Sequence, residues 1–164
     1  MTQLKELSTP ELLELLKTEE IKLIDVRPVN AYNGWPLRNE KRGGHIKGAK
    51  SLPLKWTKYM DWIEVVRSKN ILPRHNIVIY GYEPDDGKAV AELFEKAVYD
   101  NIRVYNHFLD DWSQEDNLPM ENLERYKQLV YPEWVKTIID GGTPPDHKGG
   151  DTVICHAHYR NRDA

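Results

Sequence analysis

Cysteine is almost absent from this sequence, because Cys155 is the single one among 164 residues. An intramolecular disulfide is therefore excluded, and one lone thiol is typical of a chain in a reducing compartment. Long apolar runs are missing as well, since none approaches the roughly 20 residues that span a bilayer. The net charge of −3 shows no basic excess, so the composition favours neither nucleic acid nor an anionic membrane as a partner.

What is present is the composition of a globular protein, with 40% apolar and 30% charged residues. The opening sequence MTQLKELSTPELLELLK has an amphipathic helical pattern with charges throughout, which argues against a secretory signal peptide. We therefore expect a cytoplasmic protein. Within this segment Ser8 and Glu11 have the spacing of a capping box, which marks the start of a helix.

Apolar strands alternate with helices in the first part of the chain. Short apolar runs predict strands at 22–26, 76–80 and 102–105, and the run at 76–80 is of the continuous kind that a parallel sheet buries on both faces. Helical spacing of apolar residues predicts helices at 57–68 and 88–97. This alternation favours an α/β fold with a mostly parallel sheet.

Two short motifs follow the first of these strands. Asp25-Val26-Arg27 closes the strand, and Gly44-His45-Ile46-Lys47-Gly48-Ala49 comes about twenty residues later. Together they resemble the opening of a rhodanese (sulfurtransferase-like) domain, where a strand ending in Asp-x-Arg leads to a Gly-His-Ile-x-Gly-Ala turn. The resemblance covers residues 4–119 and implies a three-layer α/β/α fold with a mostly parallel central sheet and neither an organic cofactor nor a metal. Lys47 stands where the family usually has proline, and residues 35–43 look like an insertion.

Gly81 stands where the resemblance to rhodanese places the catalytic cysteine. In an active member the strand equivalent to residues 76–80 ends in that cysteine, and the amides of the following loop cradle a persulfide. Sulfur transfer needs a thiolate that attacks the outer sulfur of a donor, and glycine supplies no sulfur. Three carboxylates in the loop would repel an anionic donor such as thiosulfate, and we interpret the loop as a polar turn before a helix. The loop residues are Gly81, Tyr82, Glu83, Pro84, Asp85, Asp86 and Gly87.

Asp25, Arg27 and His45 are interpreted as structural residues. A carboxylate and a guanidinium at the edge of a sheet commonly pair, and a histidine in a glycine-rich turn commonly bonds backbone groups. Because the predicted loop holds no nucleophile, these side chains have no reaction to serve. The remaining motif residues Gly44, Gly48 and Ala49 are assigned to the turn itself.

A second, incomplete rhodanese-like domain is predicted after the first. Tyr131-Pro132-Glu133-Trp134-Val135 resembles the helix start at Ser8, and residues 158–164 align with residues 25–31. Repetition at about domain length indicates a tandem architecture. The predicted boundaries are a rhodanese-like domain at 1–125, then a connector and the start of a second copy at 126–164.

Cys155 follows an apolar segment predicted to form a strand at 151–156, which would bury it as a structural thiol. Its spacing to Arg160 is close to that of the catalytic loops in rhodaneses and phosphatases, so a reactive thiol is the alternative. Two histidines in the same segment suggest half a metal site as a third interpretation. In the register of a domain start, Arg160 matches Arg27 and Cys155 falls inside the strand. This register favours the structural thiol, and no metal is expected.

The sequence therefore predicts a catalytically silent rhodanese-like domain of a thiosulfate sulfurtransferase, structural or regulatory toward an active copy elsewhere. Two alternatives remain open. One is a free-standing protein-interaction module with the same fold, and the other is a sulfurtransferase or phosphatase-like enzyme that uses Cys155 and Arg160. The expected partners are further rhodanese domains of the same parent polypeptide, with a protein partner or a homodimer formed through residues 129–164. Neither nucleic acid nor a membrane is expected as a partner.

Overall fold

The computed structural model describes residues 4–18, 20–59, 61–145 and 147–155. Contacts between Cα atoms divide the chain into two compact units, Met1–Tyr126 and Lys127–Ala164. Among the described residues, none of the helices has the length and apolar character that crossing a membrane requires.

Strands alternate with helices in the described part of the first unit. The strands are β1 (Lys5–Leu7), β2 (Ile21–Asp25), β3 (His45–Ile46), β4 (Lys50–Ser51), β5 (Asn76–Tyr80), β6 (Ile102–Tyr105) and β7 (Met120–Glu121). The helices are α1 (Thr9–Thr18), α2 (Val29–Asn33), α3 (Trp62–Ser68) and α4 (Pro84–Lys96), with a 3₁₀ turn at Leu54–Lys58 and a π-helical turn at Phe108–Trp112. Five strands form a parallel sheet in the order β1-β6-β5-β2-β4, and β3 pairs with β7 antiparallel.

Helices cover both faces of the parallel sheet. On one face lie α1, α2 and the turn at Phe108–Trp112, and on the other lie α3 and α4. The buried side chains of β5 alternate between the two cores. Val78 and Tyr80 belong to the first, and Ile77 and Ile79 belong to the second. The predicted three-layer α/β/α fold with a mostly parallel central sheet is confirmed.

The first helix begins at the predicted capping box. Ser8 N and Ser8 Oγ donate to Glu11 Oε2 at 2.8 and 2.7 Å. These bonds satisfy an otherwise unpaired helix start. Leu12 of this helix is completely buried in the core.

The central strands agree with their predicted positions, and the differences lie at the ends of elements. The strands predicted at 76–80 and 102–105 coincide with β5 and β6. The helix predicted at 57–68 is instead a 3₁₀ turn followed by α3. The N-terminal helical pattern is wrong at residues 5–7, which form β1 and pair with β6. A strand of three residues is too short to display a period of two, so only its pairing identifies it.

The second unit contains α5 (Pro132–Ile139), which begins where the sequence predicts a helix start. The strand predicted at 151–156 is not formed by residues 151–155. No strand pairs with this segment among the described residues, and a strand without a neighbour has no stable ladder. Cys155 is consequently exposed, so its interpretation as a buried structural thiol is wrong. Arg160 and the rest of 156–164 lie outside the described residues.

Candidate functional site

The candidate site lies at the carboxyl ends of β2 and β5. From β2 the chain runs to β4 on one side, while β5 lies on the opposite side of β2. In open parallel sheets such a change of direction is the place where a crevice for a ligand forms. A pocket of about 440 Å³ occupies this position, and most of its lining residues follow β2, β4 or β5.

Gly81 directly follows β5 and is buried. A Cβ atom at this position would lie 3.0 Å from Asp86 Cβ and 3.0 Å from Val26 Cγ2. Both distances are shorter than ordinary van der Waals contact, so a side chain here would have to displace close-packed neighbours. The position that the resemblance assigns to a nucleophile therefore lacks a sulfur and is also tight for any side chain.

The loop after Gly81 is shorter than predicted because α4 begins at Pro84. Proline suits the first helical turn, where its missing N–H has no intrahelical partner. Glu83 is the N-cap residue, and its backbone N–H donates to Asp86 Oδ2 at 3.4 Å. Negative charge in this turn complements the helix dipole. The residues of the predicted loop that lie in α4 are Pro84, Asp85, Asp86 and Gly87.

Arg27 is a buried cation held by the acid that ends β2. Its Nε donates to Asp25 Oδ1 at 3.0 Å and its Nη2 donates to Asp25 Oδ2 at 2.6 Å, a bidentate arrangement. Nη2 also donates to Gly44 O at 2.6 Å. Tyr80 OH donates to Asp25 Oδ2 at 2.7 Å. Asp25 and Arg27 thus form an ion pair that ties β2 to the turn at Gly44 and to β5.

Aromatic rings enclose the guanidinium group. Arg27 Cζ lies 3.8 Å from the ring centroid of Phe108, 5.1 Å from that of Tyr82 and 5.6 Å from that of Tyr80. These are cation–π distances. Burial alone disfavours the charged form of Arg27, but the carboxylate of Asp25 outweighs it, and the pKa of Arg27 is raised above its ordinary value. Arg27 therefore stays charged and serves as a fixed cation rather than as an acid or base.

Glu40, within residues 35–43, supplies a second buried carboxylate to the site. Its Oε1 lies 3.7 Å from Arg27 Nη1 and accepts a short hydrogen bond from Tyr82 OH. Its Oε2 accepts from Arg38 N at 2.7 Å. Burial, and after it the hydrogen bond to Glu40, raises the pKa of Tyr82. Sequence reasoning missed Glu40, because an acidic residue in an irregular segment has no periodicity that marks it as buried.

Further contacts fasten residues 35–43 beside the pocket. The guanidinium of Arg38 pairs with the carboxylate of Glu83 at the start of α4. Arg42 donates to two backbone carbonyl oxygens within residues 112–118, at 2.7 and 2.8 Å. The insertion is therefore a fixed wall of the pocket, which includes Arg38 in its lining.

His45, in β3, is held by contacts outside the pocket lining. Its Nδ1 lies 2.7 Å from Tyr32 O, and its ring stacks on that of Tyr32 with centroids 3.7 Å apart. Gly44 has a φ of 113°, and a Cβ atom there would lie 2.2 Å from a backbone oxygen of β7. Gly48 has a φ of 83°, and Ala49 after it is buried. Gly44 therefore shapes the chain just before β3, and Gly48 and Ala49 belong to the turn between β3 and β4.

The pocket combines apolar walls with a few charged groups. The apolar lining residues are Val26, Pro28, Leu37, Pro53 and Leu54. The polar lining residues are Arg27, Arg38, Lys55, Tyr82 and Asp86. The lining offers groups for binding and no thiol for sulfur transfer. Across the part of the chain that the structure describes, no group of three or more His, Cys, Asp or Glu side chains is placed to hold a metal ion.

Sequence comparisons agree with this geometry. The family model described as "Rhodanese-like domain" matches residues 8–115. The thiosulfate sulfurtransferase YnjE of Escherichia coli (strain K12) is 28% identical over 157 residues, which cover 94% of this chain and 35% of YnjE.

Solved structures of EanB match almost the whole chain. Wild-type EanB and a complex of an EanB variant with hercynine each give a TM-score of 0.81 at 47% identity, covering 98% of this chain and 37% of EanB. An EanB variant with a cysteine persulfide and ergothioneine gives a TM-score of 0.80 at 48% identity, covering 97% of this chain and 38% of EanB. This chain thus spans little more than a third of the length of these relatives. On its motifs, its fold and these matches, the chain belongs to the rhodanese-like domain family.

Proposed function

We propose that this chain is a catalytically silent rhodanese-like domain that supports an active copy in a larger sulfur-transfer protein. The observation that carries the proposal is Gly81 directly after β5, where the resemblance to rhodanese places the catalytic cysteine. Persulfide chemistry requires a thiolate at that point, and no other residue type in the pocket lining supplies one. The fold and its crevice are kept, so the loss concerns the chemistry alone.

The charges of the site also support silence. Glu83, Asp85 and Asp86 all lie at the start of α4, next to the position of the missing nucleophile. The buried cation Arg27 already faces the carboxylate of Glu40 as well as that of Asp25. An anionic sulfur donor would meet this negative charge without a free buried cation to offset it.

The relatives indicate the chemistry of the parent protein. YnjE is a thiosulfate sulfurtransferase, and EanB has been captured with hercynine, with ergothioneine and with a cysteine persulfide. We infer an active copy of the same class, which carries sulfur as a cysteine persulfide and passes it to an acceptor of the hercynine kind. In this arrangement residues 1–125 form the N-terminal, silent domain and residues 126–164 begin a second copy. The silent domain packs beside the active copy and shapes its entrance.

Reconstitution in trans tests the supporting role. EanB lacking the segment that matches this chain is assayed for sulfur transfer to hercynine, alone and with the present chain added. We expect the shortened EanB to lose most of its activity and the added chain to restore it, because the silent domain supplies a packing surface. Full activity of the shortened EanB by itself would contradict the proposal.

The matched control for this experiment is the same chain with Cys155→Ser. It should restore activity as well as the unmodified chain does, because the supporting role uses no thiol. Restoration that depends on Cys155 would instead assign a reactive thiol to this chain and count against silence.

A second candidate function, protein interaction through residues 129–164, is favoured by exposed apolar side chains in the second unit. They are Leu129, Val130, Ile139, Val153 and Ile154. Exposed apolar side chains that form a contiguous patch commonly mark a contact surface. A homodimer formed here would be visible in sedimentation velocity and should dissociate on Ile139→Glu. A chain that stays monomeric at every concentration would exclude the homodimer.

A further inference from the structure

We propose that the pocket at the carboxyl ends of β2 and β5 binds a small organic monocarboxylate with an apolar body. The proposal concerns binding alone and rests on the lining of the pocket. It therefore depends neither on Gly81 nor on a companion domain. Binding of such a ligand requires no thiol, so a catalytically silent domain can still bind it.

The size and the walls of the pocket define the body of this ligand. The volume of about 440 Å³ falls in the range of roughly 300–1,000 Å³ that is typical of small-molecule sites. Half of the lining is apolar, with Val26, Pro28, Leu37, Pro53 and Leu54. Burial of apolar surface is the main source of affinity in such a pocket. A purely ionic ligand such as sulfate would leave these walls unused.

The cations in the lining favour an anionic group on the ligand. Three of the lining residues are basic, Arg27, Arg38 and Lys55, against the single acid Asp86. Asp86 lies in the first turn of α4, where the positive end of the helix dipole partly compensates its charge. Carboxylates outside the lining compensate Arg27 and Arg38, so the attraction for an anionic group comes from Lys55.

Lys55 is the cation that remains for a ligand. Arg27 is already engaged by Asp25 and lies near Glu40, and Arg38 pairs with Glu83. In the described part of the chain the ammonium of Lys55 has no hydrogen-bond or ion-pair partner, and the residue is exposed. An exposed lysine at the edge of an apolar pocket is suited to hold a carboxylate whose body lies inside.

Arg38 offers the ligand a second contact. The neighbouring acids limit the negative charge that the ligand can carry. The guanidinium of Arg38 lies 4.5 Å from the ring centroid of Tyr82, and the Arg38 side chain is 41% exposed, so one edge remains open to a planar carboxylate. Glu83 pairs with this guanidinium, and Asp86 lines the same pocket. A dianion would be repelled by these carboxylates, and a monocarboxylate fits the one uncompensated cation.

The test is a protein-observed NMR titration with three probes of one shape. They are 4-methylbenzoate, its neutral amide 4-methylbenzamide, and the dianion terephthalate. We expect the benzoate to shift the amide signals of pocket residues saturably, and the other two probes to bind up to about fivefold more weakly, the effect of one exposed ion pair.

Lys55→Ala and Lys58→Ala form a matched pair of variants for this titration. Both lysines belong to the same 3₁₀ turn and are exposed, but only Lys55 lines the pocket. Lys55→Ala should weaken benzoate about fivefold and leave the amide unchanged, while Lys58→Ala should change neither. Leu37→Glu, which places an acid in the wall, should abolish benzoate binding.

Several outcomes would overturn the proposal. They are no saturable shift with benzoate, equal affinity for benzoate and its amide, or equal losses in the two lysine variants. Tighter binding of terephthalate would contradict the limit to one charge. None of these results bears on catalytic silence, which rests on Gly81 and is measured by sulfur transfer.

Discussion

Removal of the Glu40 carboxylate should destabilise the first unit, because this acid is the buried centre of the site. Its side chain is 1% exposed, it accepts hydrogen bonds from Tyr82 OH and from the backbone of Arg38, and it lies 3.7 Å from Arg27 Nη1. Glu40→Ala removes all three contacts at once. Glu40→Gln keeps the shape and one acceptor oxygen but removes the charge.

The expected loss follows from the partners that the substitution leaves behind. A buried donor without an acceptor costs about 1–3 kcal/mol, and Glu40→Ala leaves one, the hydroxyl of Tyr82. Arg38 is exposed, so water can accept a hydrogen bond from its backbone N–H. Arg27 keeps its bidentate bonds to Asp25, so the much larger cost of an isolated buried charge does not arise. The substitution also removes the desolvation cost of burying the Glu40 carboxylate, and this gain offsets part of the loss. We expect the free energy of unfolding to fall by about 1–3 kcal/mol for Glu40→Ala and by about half as much for Glu40→Gln.

Urea unfolding at neutral pH, followed by tryptophan fluorescence and far-ultraviolet circular dichroism, measures this loss. Glu124→Ala is the control, because Glu124 is exposed and should change the free energy of unfolding by less than about 0.5 kcal/mol. Tyr82→Phe in both backgrounds completes a double-mutant cycle, and the two losses should not add. A loss for Glu40→Ala no larger than that for Glu124→Ala would refute the assignment of Glu40 to the buried network.

Three other expectations concern the nucleophile position, the boundary between the units and alkaline pH. Gly81→Cys should remain without persulfide in intact-mass measurements after thiosulfate treatment, because the acids nearby raise the pKa of the thiol and Asp86 Cβ would lie 3.0 Å from the new Cβ. A chain ending at residue 126 should fold, whereas one ending at 125 should be less stable by about 1–3 kcal/mol, because the Tyr126 ring packs on that of Trp35 at 5.4 Å. Burial, and then the charge of a neighbouring acid, places the pKa of Tyr80 well above its ordinary value. Its contribution to stability is complete below the unfolded pKa of about 10 and is lost as the pH rises above it, by up to about 1.4 kcal/mol per pH unit. The free energy of unfolding, measured at stepped pH, should show this decline. If the absorbance showed that all the tyrosines become phenolates while the chain is still folded, the raised pKa of Tyr80 would be contradicted.

The fold was predictable because its central strands carry a strong local signal. The nearly continuous apolar run at 76–80 predicts a strand buried on both faces, and the structure has β5 at those residues. The short strands β1, β3, β4 and β7 were not predicted. Each has two or three residues, so it is defined by hydrogen bonds to distant parts of the chain rather than by its own periodicity.

The candidate site was predictable where it depends on motifs and unpredictable where it depends on an insertion. Asp25 and Arg27 come from a recognisable strand end, and Gly81 is noticed because a family residue is missing. Glu40 and Arg38 belong to an irregular segment whose path is fixed only by tertiary contacts. The start of α4 at Pro84 was missed for a related reason, since acids and proline suit both a turn and the first turn of a helix.

The error at Cys155 has a simple physical cause. Val153 and Ile154 have the composition of a strand, but β structure also needs a neighbouring strand, and none is described for this segment. The composition therefore indicated a β-strand propensity, but the described residues of this segment do not form a strand. Exposure of the thiol makes Cys155 the residue whose reactivity most needs a direct measurement.

A sulfur-transfer assay with thiosulfate and cyanide tests the central claim of catalytic silence most directly. The purified chain is measured beside its Cys155→Ser variant and beside wild-type YnjE as the positive control. Because Gly81 supplies no thiolate, we predict no turnover above background for either form of the chain. Turnover by the unmodified chain that the Cys155→Ser variant lacks would contradict silence and identify Cys155 as the nucleophile.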